Sequence, residues 1–161
     1  MRIGLGYDIH RFKKSKKGFF LLSGVRIPSG FRMDAHSDGD IMLHAVSDAI
    51  LSALGLPDIG VYFPPGKPQT RNINSALILK YALHNAKKRK LKVSGASIVV
   101  VLEKPKMAPY RAEIQYALAK LLGTTMDKVG ITFKTFENLK PFANCAISCM
   151  ATALLTEGKR K

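Results

Sequence analysis

At 161 residues with 47% hydrophobic side chains, the chain is long enough to bury a core of its own as one globular domain, without disulfide staples. It carries 26 Lys and Arg against 11 Asp and Glu, for a net charge of +15 and a pI near 10.0, which points to an anionic partner, either nucleic acid or a phosphorylated small molecule. No apolar run reaches the ~18–20 residues of a membrane span and the amino terminus lacks the apolar core of a signal peptide, so a cytoplasmic location is expected.

In chain order, residues 2–7 alternate weakly and lead into Asp8-Ile9-His10. In an extended segment residues i and i+2 point the same way, so Asp8 and His10 converge on one point as a two-tooth chelate would. Lys13-Lys14-Ser15-Lys16-Lys17 reads as a basic loop, and residues 19–22 and 25–27 predict a hairpin turning at Ser23-Gly24. The densest stretch of reactive side chains follows: Asp34-Ala35-His36-Ser37-Asp38-Gly39-Asp40-Ile41-Met42-Leu43-His44 sets two of the four histidines and three aspartates within eleven residues. Ser37 or Asp38 is the expected cap of a helix over residues 40–54. On that helix Asp40, His44 and Asp48 recur at four-residue spacing and share a stripe, while nearly every other position is apolar. Such a stripe is expected to line a cleft, with His44 as either a metal ligand or a hydrogen-bonded structural residue.

Residues 55–68 are dense in Pro and Gly and read as a long ordered loop, of the kind that carries function. Residues 72–89 predict an amphipathic helix with Asn72 or Asn74 as cap, Ile73, Ala76, Leu77, Leu79, Leu83 and Ala86 on its apolar side, and His84 at the surface. Its end merges into the second basic run, residues 87–92, where cations suit the helix dipole. A β-branched strand over residues 96–102, a helix over 110–122 stopped by Gly123, and a strand over 129–135 follow. Residues 146–156 are compatible with helix or strand, and Cys145 and Cys149 are expected there as buried thiols. The alternation of strands and helices predicts a two-layer α+β domain.

Two separated elements therefore offer Asp8, His10 and His44. Two histidines and a carboxylate with an open fourth position describe a catalytic zinc site, since structural zinc is usually closed by four ligands. The open position is expected to face the amino end of the central helix, a seat for phosphate flanked by His36 and Ser37 as donors. Zinc, a helix terminus and many cations together favour chemistry on a polyphosphate. Nucleic-acid binding is the alternative. It accounts for the charge alone, because zinc-finger spacing, aromatic-rich RNA-binding motifs and a clear helix-turn-helix are all missing from the sequence.

The motifs also carry a resemblance. Gly4-Leu5-Gly6-Tyr7-Asp8-Ile9-His10, Ala35-His36-Ser37-Asp38-Gly39-Asp40, Leu43-His44, Asp58-Ile59-Gly60, Phe63-Pro64 and Pro105-Lys106-Met107 occur in this order. Together they resemble the 2-C-methyl-D-erythritol 2,4-cyclodiphosphate synthases of the non-mevalonate isoprenoid pathway. The resemblance implies a single synthase domain over residues 1–161, built as a mixed sheet with helices packed on one face and assembled as a homotrimer with active sites between subunits. It implies a phosphorus-oxygen lyase. 4-Diphosphocytidyl-2-C-methyl-D-erythritol 2-phosphate cyclises as its 2-phosphate attacks the β-phosphorus, and CMP leaves. The work of such an enzyme is positioning and stabilising charge on phosphoryl oxygens.

By the same resemblance Asp8, His10 and His44 would hold zinc or manganese on the β-phosphate, and His36 and Ser37 would grip the 2-phosphate, with His36 stabilising the transition state. Asp58 and Gly60 would hold the ribose and methylerythritol region, with Ile59 and Phe63 also in the substrate site. Leu102, Pro105, Lys106, Met107 and Ala108 would frame the cytosine, largely through backbone groups. In Lys134-Thr135-Phe136-Glu137-Asn138-Leu139, Thr135 would hydrogen-bond the diphosphate as a catalytic residue and Glu137 would ligate magnesium. Three departures stand out. Pro65-Gly66-Lys67 replaces an aspartate the family carries after Phe-Pro. Lys140-Pro141-Phe142-Ala143-Asn144 lacks the family's glycines and arginine, and Lys134 stands where threonine is common, adding a cation beside the phosphates.

Overall fold

Thirteen consecutive residues form the strand on which the site is built, β1 (Arg2–Lys14), in a computed structural model that describes residues 1–140, 142 and 145–158. The expected basic loop begins later than its lysines do. Lys13 and Lys14 continue the strand, because β4 (Phe31–Asp34) pairs with residues 11–14 and the Lys13 Nζ lies 2.6 Å from the Asp34 carboxylate. Between them the predicted hairpin, β2 (Phe19–Leu22) and β3 (Val25–Pro28), turns through Ser23 and Gly24, both at positive φ (54° and 81°), the geometry of a tight two-residue turn.

The main sheet has the order β4-β1-β7-β5-β6, with β7 (Ala146–Glu157) antiparallel to both β1 and β5 (Leu91–Val101), and β6 (Val129–Lys134) parallel to β5. It is thus a mixed sheet. The segment left open between helix and strand is its central strand. Its run of small and β-branched residues is decided by partners along both edges, and context of that kind outweighs local propensity. Cys149 is buried on this strand whereas Cys145, just before it, is exposed, so only one of the two expected buried thiols is buried.

Three helices, α1 (Ile41–Ala53), α3 (Ser75–Lys88) and α4 (Arg111–Leu122), lie against one face of the sheet, and a four-residue helix, α2 (Ile59–Tyr62), interrupts the predicted long loop. The core lies between α1 and strands β1 and β7: Ile41, Met42, Leu43, Ile50 and Leu51 are fully or almost fully buried against Ile147, Ala151 and Ala153. α4 ends at Gly123 in the left-handed conformation, as its sequence predicts. α3 starts at Asn74, whose side chain accepts from the Ala76 amide at 2.8 Å, whereas Asn72 sits before the helix at positive φ. Its buried stripe is Ser75, Ile78, Leu79, Ala82 and Ala86, and Leu77, expected inside, is 55% exposed. Apolar residues occur on several sides of this helix, so its phase was ambiguous until the sheet selected one face. His84 is exposed, as expected.

Two glycines bring α1 onto β1. A Cβ on Gly4 would lie 2.0 Å from the Ala49 carbonyl oxygen, and one on Gly6 would lie 2.0 Å from that of Ala45. Only glycine permits this backbone-to-backbone contact. Gly4, Gly6, Asp8 and His10 alternate onto the helix side of β1, so the same approach carries Asp8 and His10 up to His44.

Candidate active site

Asp8, His10 and His44 converge: one ligand atom from each lies within 4.8 Å of the others. Asp8 Oδ2 is 2.9 Å from His44 Nδ1, Asp8 Oδ1 is 3.5 Å from His10 Nδ1, and the two imidazoles meet edge to face at 5.2 Å. His10 Nε2 is buried without a hydrogen-bond partner. A buried, unpartnered ring nitrogen beside a second histidine and a carboxylate is a donor set that fits a divalent cation. The pairing of i and i+2 on β1 with a residue one turn into α1 is the arrangement read from the sequence.

A cavity of about 260 Å³ opens on this cluster, lined also by His36, Ser37, Ile59, Gly60 and Phe63. His36 and Ser37 follow β4, which sheet pairing holds beside β1. The Asn72 amide donates to the His36 carbonyl at 2.7 Å and fixes the segment from the other side. Asp58 caps α2, accepting from the Gly60 and Val61 amides at 2.8 and 3.3 Å. Asp48, half-buried on α1, accepts from the Ile59 amide at 2.8 Å and so ties this loop to the helix bearing His44. Burial first, then the charges of Asp58 and Asp8, push the Asp48 carboxyl up to about 6, against the lowering effects of the Ile59 amide and His44.

Two expectations about α1 need correction. Its cap is Asp40, rather than Ser37 or Asp38, and the fully buried Asp40 carboxylate accepts from the amides of Leu43, Ser23 and Gly24 at 3.2, 3.0 and 2.6 Å. Asp40 therefore anchors the β2–β3 turn and does not line the cavity with His44, and the Asp40-His44-Asp48 stripe is divided among three tasks. With a carboxylate capping it, the amino end of α1 is not the expected seat for phosphate.

Leu102, Pro105, Lys106, Met107, Ala108, Lys134, Thr135 and Glu137 lie outside that cavity. They gather beyond the carboxyl ends of β5 and β6, where the Leu102 amide donates to the Lys134 carbonyl at 3.0 Å and the Phe136 amide to Glu103 Oε2 at 3.1 Å. Thr135 Oγ1 donates to Glu137 Oε1 at 2.5 Å, and both residues are exposed. Register places Ile9, Ser148, Val101 and Lys134 in one row across the sheet, so both groups sit at the same sheet end, three strand spacings or roughly 14 Å apart. Pro141, Ala143 and Asn144, in the altered segment after Glu137, lie outside the described residues. Sequence reading missed Ser75, which contacts His44 from α3, and the bonding of Asp38 to Ser75. No periodicity links residues 31 positions apart.

Of the basic runs that motivated a nucleic-acid reading, the first begins at the carboxyl end of β1, where Lys13 pairs with Asp34 of the cavity lining, and the second lies elsewhere. Arg2, Lys87, Arg89, Lys90, Lys92 and Lys120 line a separate cleft at the opposite sheet end, where β1 and β5 begin. The tail cluster, residues 159–161, is outside the described residues. Among the described residues no helix is long and apolar enough to cross a membrane.

The model of the YgbB family matches residues 1–156. A 2-C-methyl-D-erythritol 2,4-cyclodiphosphate synthase from Gloeobacter violaceus is 41% identical over 98% of this chain and 96% of its own. One from Thermus thermophilus is 44% identical over 88% of this chain and 91% of its own. A solved structure of such a synthase in its CDP-bound form superposes with a TM-score of 0.88 at 39% identity, over 96% of this chain and 100% of the other. With Asp8, His10, His36 and His44 gathered in one cavity of a fold shared along its whole length, the chain belongs to the YgbB family of 2-C-methyl-D-erythritol 2,4-cyclodiphosphate synthases.

Proposed function

We infer that the chain converts 4-diphosphocytidyl-2-C-methyl-D-erythritol 2-phosphate to 2-C-methyl-D-erythritol 2,4-cyclodiphosphate, releasing CMP. The observation that carries this is the meeting of Asp8, His10 and His44 beside His36 and Ser37 in one cavity of a family member. An oxygen of the 2-phosphate attacks the β-phosphorus, and the bond from that phosphorus to the oxygen shared with CMP breaks, with CMP leaving with the electron pair. The protein's part is to hold attacking and leaving oxygens in line and to neutralise the phosphoryl oxygens.

Asp8, His10 and His44 would hold zinc or manganese, which when bound supplies positive charge at the β-phosphate and makes its phosphorus more electrophilic. His36 and Ser37 hold the 2-phosphate, and His36 stabilises charge as the new bond forms. Asp58, Ile59, Gly60 and Phe63 bind the sugar region. Leu102 and residues 105–108 frame the cytosine. Lys134 and Thr135 contact the diphosphate, and Glu137 would hold magnesium, which when bound supplies further positive charge to the phosphate oxygens.

The assembly is proposed as a homotrimer of single-domain subunits, working in the cytoplasm. Two features support a trimer. The sheet face opposite the helices exposes Ile3, Leu5, Tyr7, Ile9, Val99 and Met150, an apolar surface larger than scattered exposure explains. The nucleotide-side residues also stand roughly 14 Å across the sheet from the metal cluster of the same chain, leaving room for a neighbour's residues to complete each site. The deciding experiment is CMP release from the substrate by chelator-treated protein, with zinc and magnesium restored separately. CMP and a cyclic diphosphate are expected only with metal. A folded protein without turnover under any metal condition would overturn the reading.

A further inference from the structure

We propose that Ser75 and Asp38 are positioning residues for His44, forming a relay that fixes its imidazole in the Nε2–H form and turns the Nδ1 lone pair toward Asp8. This deepens the metal reading above and rests on it for its consequence, though not for its geometry.

Ser75 is the first residue of α3 and is fully buried. Its backbone amide donates to Asp38 Oδ2 at 3.1 Å, and its hydroxyl makes a short hydrogen bond to Asp38 Oδ1. An ionised carboxylate only accepts, so the single hydroxyl proton of Ser75 lies toward Asp38. Ser75 Oγ also lies 2.9 Å from His44 Nε2, and with its proton committed it can only accept there. His44 Nε2 must then carry the proton. Ser37 Oγ, 3.1 Å from the same nitrogen and itself accepting from the Gly39 amide, offers a second acceptor.

The other nitrogen follows. In the neutral imidazole Nδ1 then keeps its lone pair, and it faces Asp8 Oδ2 at 2.9 Å. Two lone pairs at that distance repel unless a cation lies between them, so the relay prepares the pair for a metal and disfavours a direct His-to-Asp hydrogen bond. A ligating histidine held through its second nitrogen is a common device, and removing the supporting group typically weakens metal binding ten- to hundredfold. The element carrying the support, α3, supplies no ligand itself. Its position is fixed by backbone bonds from Asp38 to Ile73 and from Asn72 to His36.

The test reads tautomer and metal affinity separately. Nitrogen-15 NMR of His44 in metal-free wild-type protein at pH 8 is expected to show a protonated Nε2 and a bare Nδ1. Ser75→Ala should mix the two tautomers and lower zinc affinity ten- to hundredfold by chelator competition, with the metal-free melting temperature showing whether the fold has changed. A proton on Nδ1 in the wild-type protein, or unchanged tautomer and zinc affinity in a folded Ser75→Ala, would overturn the proposal. If Ser75→Ala does not fold, the wild-type spectrum decides. Failure of the wild-type chain to bind zinc would instead overturn the metal reading, with the tautomer still settling the relay.

Discussion

Asp48 shows how one position on α1 serves the site without touching the metal cluster. Its carboxyl, raised to about 6 chiefly by burial, binds a proton in the native state at a pH where the unfolded chain, at 3.8, has lost it. This group therefore stabilises the fold below about pH 4, and that contribution is lost as pH rises through about 6. Asp48→Asn can keep an acceptor for the Ile59 amide while removing the buried charge. In chelator-treated protein its melting temperature should exceed wild type above pH 6, with the gap closing toward pH 4. Parallel curves from pH 4 to 8 would refute this. The residue was legible as part of a stripe, yet its partner was not, because Ile59 belongs to a loop whose path the sequence leaves undetermined. Asp40 was misread for a related reason: any of three polar residues in Ser37-Asp38-Gly39-Asp40 satisfies a helix cap locally. The choice fell to the β2–β3 turn, whose amides need a buried acceptor.

The decisive element pair is β1 with α1. Spacing alone showed Asp8 with His10 and, separately, His44; Gly4 and Gly6 are the physical means by which they meet. Gly6→Ala would put a methyl group 2.0 Å from a backbone oxygen, and neither backbone can yield without moving a central strand or helix. A loss of at least ~3 kcal/mol is expected, the upper range for overpacking, measurable by urea denaturation. Zinc affinity should fall with it, because the same displacement separates His44 from Asp8. A variant with wild-type stability would show the interface to be softer than its geometry implies. The central strand β7 was the least legible element, since a run such as Ala151-Thr152-Ala153-Leu154-Leu155 suits a helix equally well until strands flank it on both sides.

At the scale of the molecule, one basic cleft lies at the opposite end of the sheet from the Asp8, His10 and His44 cluster, while Lys13 and Lys134 lie at the same end as that cluster. The six lysines and arginines of that cleft lie away from the Asp8, His10 and His44 cavity, so net charge alone does not locate the candidate site. The open sheet face bears on assembly. Leu5→Glu places a charge at the middle of the apolar surface without touching the helix side of β1. In the proposed trimer it should yield monomers by sedimentation velocity, with CMP release reduced at least a hundredfold while circular dichroism remains native. A fully active Leu5→Glu monomer would show that one chain completes its own site.

The chain's own order of residues was enough for the ligand-type side chains and their spacing, the hairpin turn, the α4 stop and the family, because each depends on residues close in the chain or on an ordered set of motifs. Only long-range contacts settled which acid caps α1, which side of α3 is buried, whether residues 146–156 become strand or helix, and that Ser75 meets His44. Each of those outcomes depends on hydrogen-bond partners or packing surfaces contributed by segments far away in sequence. Local preference was nearly balanced there, so the neighbour determined the result.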